Sequence, residues 1–107
     1  MEFITSEQDI NYLSKFCILY FYNNLLPFHE DTILILSKIE QKYKDTNIFA
    51  IDSDFFKTLC KKFNIISLPT VIIMLHSNEL KKINNFMLQN NLFNIFDDIY
   101  KDNINKN

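Results

Sequence analysis

Two cysteines and two histidines are the side chains of this chain best suited to chemistry, and their surroundings limit what they can do. Cys17 lies inside the apolar run Phe16-Cys17-Ile18-Leu19-Tyr20-Phe21-Tyr22, and Cys60 lies inside Leu59-Cys60-Lys61-Lys62-Phe63. A cysteine acts as a nucleophile only as a thiolate, which needs a lowered pKa and access to reagent. Both contexts instead suit a free cysteine used as a small hydrophobe, so both thiols are expected to be free and shielded. His29 falls near a helix start, where it reads as a solvent-facing or loop-anchoring residue, or else as a hydrogen-bonding contact for a partner. His76 ends a strand and reads as surface. Neither histidine has Cys, His or Asp neighbours at ligand spacing, so no metal and no cofactor are expected.

Composition narrows the remaining classes. A chain of 107 residues is expected to form one domain, with a polar tail from about residue 101. Apolar residues make up 48% and charged residues 22%, which is ordinary globular usage. Thirteen acids against 11 lysines, with no arginine, leave a net charge of -2. That balance lacks the positive field a phosphate backbone demands, and the pairs Lys61-Lys62 and Lys81-Lys82 are read as solvated faces, so nucleic acid is not an expected partner. The apolar runs at 16–22 and 71–75 are too short to span a bilayer. The N-terminus has no basic region followed by an apolar one. A cytoplasmic, reducing compartment is the default expectation, with no membrane partner and with the oligomeric state left open.

These side chains must be positioned by elements, and the elements can be read from periodicity. Thr5 or Ser6 can cap a short helix to about Lys15. The unbroken run 16–22 suits a strand buried on both faces. From Pro27 to about Lys44, Ile33, Leu36, Ile39 and Tyr43 recur at helical spacing, and Leu34 and Ile35 widen the stripe, which predicts a helix buried on much of its circumference. Residues 47–52 form the next strand, and Asp54 is placed to cap a helix through Phe63. Residues 70–76 and 79–84 read as an antiparallel pair with Asn78 in the tight turn. A last amphipathic helix is expected over 88–100, with residues 101–107 fraying. The chain contains no glycine. Its abundant Asn, Ile, Lys and Phe all have A/T-rich codons, which attributes that absence to composition bias. Positions that want positive φ must then fall to Asn or Asp.

Strand, helix, strand, helix, hairpin and closing helix is the order of the thioredoxin fold, and several residue runs are similar to that family's landmarks. Tyr20-Phe21-Tyr22-Asn23 leads into Leu25-Leu26-Pro27-Phe28-His29-Glu30 where the family has its strand end, its Cys-x-x-Cys and its long helix. Ile51-Asp52-Ser53-Asp54 resembles the family's Val-Asp-x-Asp, and Leu59-Cys60-Lys61-Lys62-Phe63 its Leu-Ala-x-x-Tyr helix. Ser67-Leu68-Pro69-Thr70 resembles its cis-proline loop. The resemblance covers nearly the whole chain and implies an α/β fold with a central mixed sheet flanked by helices.

The departures bear on function. Leu26 stands at the family's nucleophile and His29 at its resolving cysteine, while Tyr20 stands at the buried acid that assists proton transfer. Dithiol chemistry needs a thiolate and a second thiol, so no catalytic residue is assigned. The resemblance also implies that two loops grip an extended peptide. The matching positions are Leu25, Leu26, Pro27, Phe28 and His29 beside Ser67, Leu68 and Pro69, and the expected partner is a protein or extended peptide. An apolar patch at these positions would mark an interaction site. Two other classes stay open: an atypical oxidoreductase using Cys17 or Cys60, and a structural subunit of a larger assembly.

Overall fold

The strand formed by the unbroken apolar run fixes the architecture. A computed structural model describes residues 1–12, 15–84 and 88–104. It places a two-residue strand β1 (Glu2–Phe3) ahead of β2 (Phe16–Tyr22), every residue of which is buried. Because successive side chains of a strand point to opposite faces, β2 feeds two cores. Phe16, Ile18, Tyr20 and Tyr22 enter one core, while Cys17, Leu19 and Phe21 enter the other. Helix α1 (His29–Lys42) follows, then β3 (Thr46–Asp52), α2 (Lys57–Lys62), β4 (Thr70–Leu75), β5 (Asn78–Asn84) and α3 (Leu88–Ile104). The sheet order is β1-β3-β2-β4-β5. β1 and β2 run parallel to β3, whereas β4 is antiparallel to β2 and β5 to β4. Leu36 and Ile39 of α1 and Leu92 and Phe96 of α3 cover the first face. Leu59 of α2, with Ile4 and Ile10, covers the second.

Several boundaries differ from the expectations, each for a local reason. The helix expected over 5–15 is reduced to a 3-10 turn, Glu7–Asp9, capped by Ser6. The Asp9 carboxylate accepts the Thr5 and Ser6 amides (2.9 and 3.1 Å), closing the turn on itself, and Ile10 then turns extended to reach the core. Leu13 and Ser14, in that expected helix, lie outside the described residues. α1 starts at His29 rather than Pro27 because Phe28 takes φ 64°, ψ 15°, which no helix can continue. Leu34 is 60% exposed, so the helix is buried on one face only. It stands two residues from both Thr32 and Leu36, which face inward, and so lies on the far side. Asp54 does not cap α2, since its own amide is taken by Asp52 Oδ1 (2.9 Å) and the helix begins three residues later at Lys57.

The hairpin turn falls at His76 and Ser77, with φ of 48° and 70°, and Asn78 is already in β5 opposite Leu75. A two-residue turn between strands of right-handed twist needs positive φ at both central positions. The anticipated use of asparagine in place of glycine occurs elsewhere, at Asn64 (φ 55°) after α2. There the amides of Asn64 and Ile65 reach the carbonyls of Lys61 and Cys60 (3.1 and 2.8 Å), the pattern of a Schellman ending. The Lys82 ammonium of β5 adds a 2.7 Å hydrogen bond to the Phe63 carbonyl and lies 3.5 Å from that of Asn64. α3 runs past Tyr100 to Ile104, which packs against the core and so prolongs the helix. Residues 105–107 of the expected tail lie outside the described residues.

Candidate functional site

The loop that follows β2 and the loop that precedes β4 leave the same end of the sheet, because Phe21 is paired with Thr70 across the two central strands. The first loop carries residues 25–29. Tyr20, fully buried on β2, sets its base: the phenol oxygen lies 2.8 Å from His29 Nδ1. The His29 ring stacks on Tyr22 (4.6 Å, 20°) and more distantly on Tyr20 (5.7 Å, 16°). Tyr20 and Tyr22 share a face because they are two residues apart in a strand, and together they seat the first residue of α1. Burial pushes the Tyr20 phenol up to about 12, with a contact to the Thr32 hydroxyl pulling the other way. The phenol and His29 Nδ1 share one hydrogen bond, whose donor depends on the imidazole tautomer. His29 is thus a half-buried anchor of the loop, while His76 is exposed.

Phe28 closes the loop in the left-handed region, where a bulky side chain is uncommon. Its carbonyl accepts both the Thr32 amide and the Thr32 hydroxyl (3.0 Å each), so Phe28 and the adjacent His29 together fasten the helix end of the loop. Glu30 and Asp31 fill the first turn of α1, where the helix dipole favours negative charge.

The expected apolar patch is only partly assembled. Leu25 is 92% exposed and Phe28 56% exposed, and Pro27 is exposed as well. Leu26 instead turns down against the core under α1, and Leu68 packs against the opposite core. The two leucines therefore serve different faces of the sheet. Ser67, Leu68 and Pro69 are half-buried, and the Leu68–Pro69 peptide is cis. The Thr70 hydroxyl holds this second loop by donating to the Ser67 carbonyl (2.7 Å). Ile66, 84% exposed on the same loop, was not legible as surface. An isoleucine next to Ile65 and two residues before Leu68 carries no sign of which of the three turns outward.

Neither thiol has the setting of a nucleophile. Both cysteines are free, and Cys17 is pushed up to about 12 by burial. Cys60 is only half-buried, which corrects the expectation that both are shielded. Its thiol is also raised, by burial and then by the Asp54 charge. Its place on a six-residue surface helix accounts for the exposure, since Leu59 supplies the buried contact of that helix. Among the described residues no group of His, Cys, Asp and Glu is arranged to hold a metal ion, and no helix is long and apolar enough to cross a membrane.

No protein-family model matches the chain, and no curated protein sequence matches it. Solved structures do. A thioredoxin from Trypanosoma brucei brucei aligns with a TM-score of 0.77 at 19% identity, covering 94% of this chain and 90% of that one. The oxidised thioredoxin of Plasmodium falciparum aligns with a TM-score of 0.74 at 16% identity, covering 89% of this chain and 96% of its own. A structure of thioredoxin-2, described as a component of malaria parasite protein secretion machinery, gives 0.69 at 22%, covering 78% of this chain and 82% of that one. At these identities the likeness is one of fold. With a five-stranded mixed sheet flanked by helices, thioredoxins among its structural neighbours and two cysteines that stand far apart in sequence, this chain is a thioredoxin-fold domain without a Cys-x-x-Cys.

Proposed function

We infer that the domain is a redox-inactive protein-binding module that holds an extended partner segment along residues 25–29 and beside Ser67, Leu68 and Pro69. The observation that carries this reading is the exposure of Leu25 and Phe28 on a loop fastened at its helix end by Tyr20–His29 and Thr32–Phe28, and at its strand end by the Leu25 and Leu26 amides bonded to Asn23. Exposed apolar side chains on a preorganised loop bind at low ordering cost. Leu26 has no lone pair to attack a disulfide, and the imidazole of His29 is engaged by Tyr20.

The test has two arms. In an insulin-type disulfide reduction assay the chain is expected to match the uncatalysed rate, with Cys17→Ser and Cys60→Ser leaving the trace unchanged. Turnover abolished by either substitution would assign the domain to the oxidoreductases instead. In the second arm, an array of extended peptides is screened for binding, and hits are expected to be lost when Leu25 is changed to Ser. A second reading, a subunit held permanently in a larger assembly, is favoured by one likeness: the thioredoxin-2 structure described as part of a protein secretion machinery. Sedimentation of the purified chain separates the two, since a subunit with a permanently covered surface is expected to self-associate when isolated.

A further inference from the structure

A second recess opens where the proposed peptide surface ends. Tyr22, whose ring stacks on His29, also lines a cleft of about 480 Å³ with Ile4, Thr5, Asp52, Phe55 and Phe56. Half of its lining residues are aromatic, and its charged group is the carboxylate of the half-buried Asp52, beside the Thr5 hydroxyl. The Asp52 Oδ1 atom accepts the Asp54 amide (2.9 Å), and the Asp52 carbonyl takes the amides of Phe55 and Phe56 (3.2 and 3.1 Å). This turn points Phe55 outward, 80% exposed, with no buried contact to explain it. Phe3 packs edge-on against Tyr22 at 6.1 Å and steadies the ring from the β1 side.

What the cleft lacks is a cation. The ion pairs among the described residues join Met1 to Glu40 and Asp97 to Lys42 and Lys101, so none involves Asp52. The lysines that lie over rings are Lys42, on Tyr43 and Phe93, and Lys62, on Tyr12 and Phe63, all outside the cleft. Burial, and then the nearby Asp52 charge, raise the Tyr22 phenol. A neutral apolar occupant would strip water from Asp52 and return nothing. A cationic side chain would meet the carboxylate and lie against π faces at once.

We propose that the cleft of Tyr22, Asp52, Phe55 and Phe56 receives an arginine or lysine side chain of the bound segment. This assigns a sequence preference to the partner and rests on the peptide-binding reading, because Tyr22 is shared between the cleft and the His29 end of the loop. The occupant is a peptide side chain for that reason of continuity.

The probe is acetyl-arginine-amide, compared with its neutral isostere acetyl-citrulline-amide, titrated against the ¹⁵N-labelled chain at low ionic strength. Saturable shifts are expected at Tyr22 and at residues 52–56, with the citrulline probe about tenfold weaker, as expected when a charge-assisted contact becomes neutral. Asp52→Asn keeps an oxygen for the Asp54 amide, so the turn survives while the arginine affinity falls by a similar factor. Phe55→Ala removes an exposed ring and is expected to weaken the probe several-fold without altering the fold. Leu25→Ser, which damages the proposed peptide surface, is expected to leave probe binding unchanged, so the two readings fail separately. Equal binding of citrulline, shifts outside the cleft, or no saturable shift would overturn the assignment.

Discussion

Replacing Phe28 by glycine is expected to weaken peptide binding about tenfold or more while leaving the melting temperature within about 5 °C of wild type. Fully burying a phenylalanine is worth roughly 1.5–3 kcal/mol. With Phe28 56% exposed in the free domain, a large part of that burial remains available to a partner, and about 1.4 kcal/mol of it equals a factor of ten in Kd. The folding side nearly cancels. A left-handed conformation costs a non-glycine residue about 1–2 kcal/mol, which glycine does not incur. Glycine in turn gives the unfolded chain extra freedom worth roughly 0.5–1 kcal/mol. A net change below about 1 kcal/mol moves the melting temperature of a domain this size by only a few degrees. Calorimetry and fluorescence polarisation with a bound peptide measure the two sides. Retained binding would remove Phe28 from the interface, and a loss of about 3–5 kcal/mol in stability would make it a core residue after all.

The second large effect lies one layer below. Tyr20→Ala is expected to destabilise the domain by about 3–5 kcal/mol, the range for emptying a buried aromatic site. The side chain is fully buried and stacks on Tyr22 at 5.4 Å. Tyr20→Phe isolates the hydroxyl: it keeps the ring and removes the hydrogen-bond partner of His29 Nδ1, at a cost of about 1 kcal/mol. Urea unfolding reads the stability of both variants. The ¹⁵N resonances of the His29 ring report the hydrogen bond directly, and a shift of Nδ1 toward that of an unbonded imidazole nitrogen is expected for Tyr20→Phe. Peptide affinity is expected to fall several-fold in that variant, since the loop loses the fastening at its base. Unchanged stability together with unchanged His29 resonances would show that the pair does not secure the loop.

The parts of this molecule legible in its sequence are those where burial dictates residue type. β2 was readable to the residue because a strand between two cores tolerates no polar position, and β3 to within one residue because its apolar centre, residues 48–51, is buried. The two-residue β1 leaves no periodicity to detect, and its pairing with Phe49 and Ala50 is wholly non-local. The two loops were legible in position, but not which of their side chains would face solvent. Neighbouring Leu25 and Leu26 look alike in sequence, yet one faces solvent and the other the core, because the backbone between β2 and Phe28 decides the direction. The Tyr20–His29 contact joins a strand to a helix start nine positions away. It is a matter of tertiary packing, and it turns a tyrosine in the place of a missing acid into a working part of the loop.

The ammonium of Lys82 has a bearing on motion. α2 has six residues, too few to persist unaided, and the carbonyls of Phe63 and Asn64, just past its end, are held by a side chain from the outermost strand. Detaching β5 would leave those carbonyls to water, and unwinding α2 would leave the ammonium without its acceptors. The free energies of opening the two elements are therefore linked, although they are separated in sequence by a loop and another strand. The Lys82 contact thus ties the sheet edge to the end of the surface helix, and an edge strand fastened in this way is less free to separate and pair with another chain.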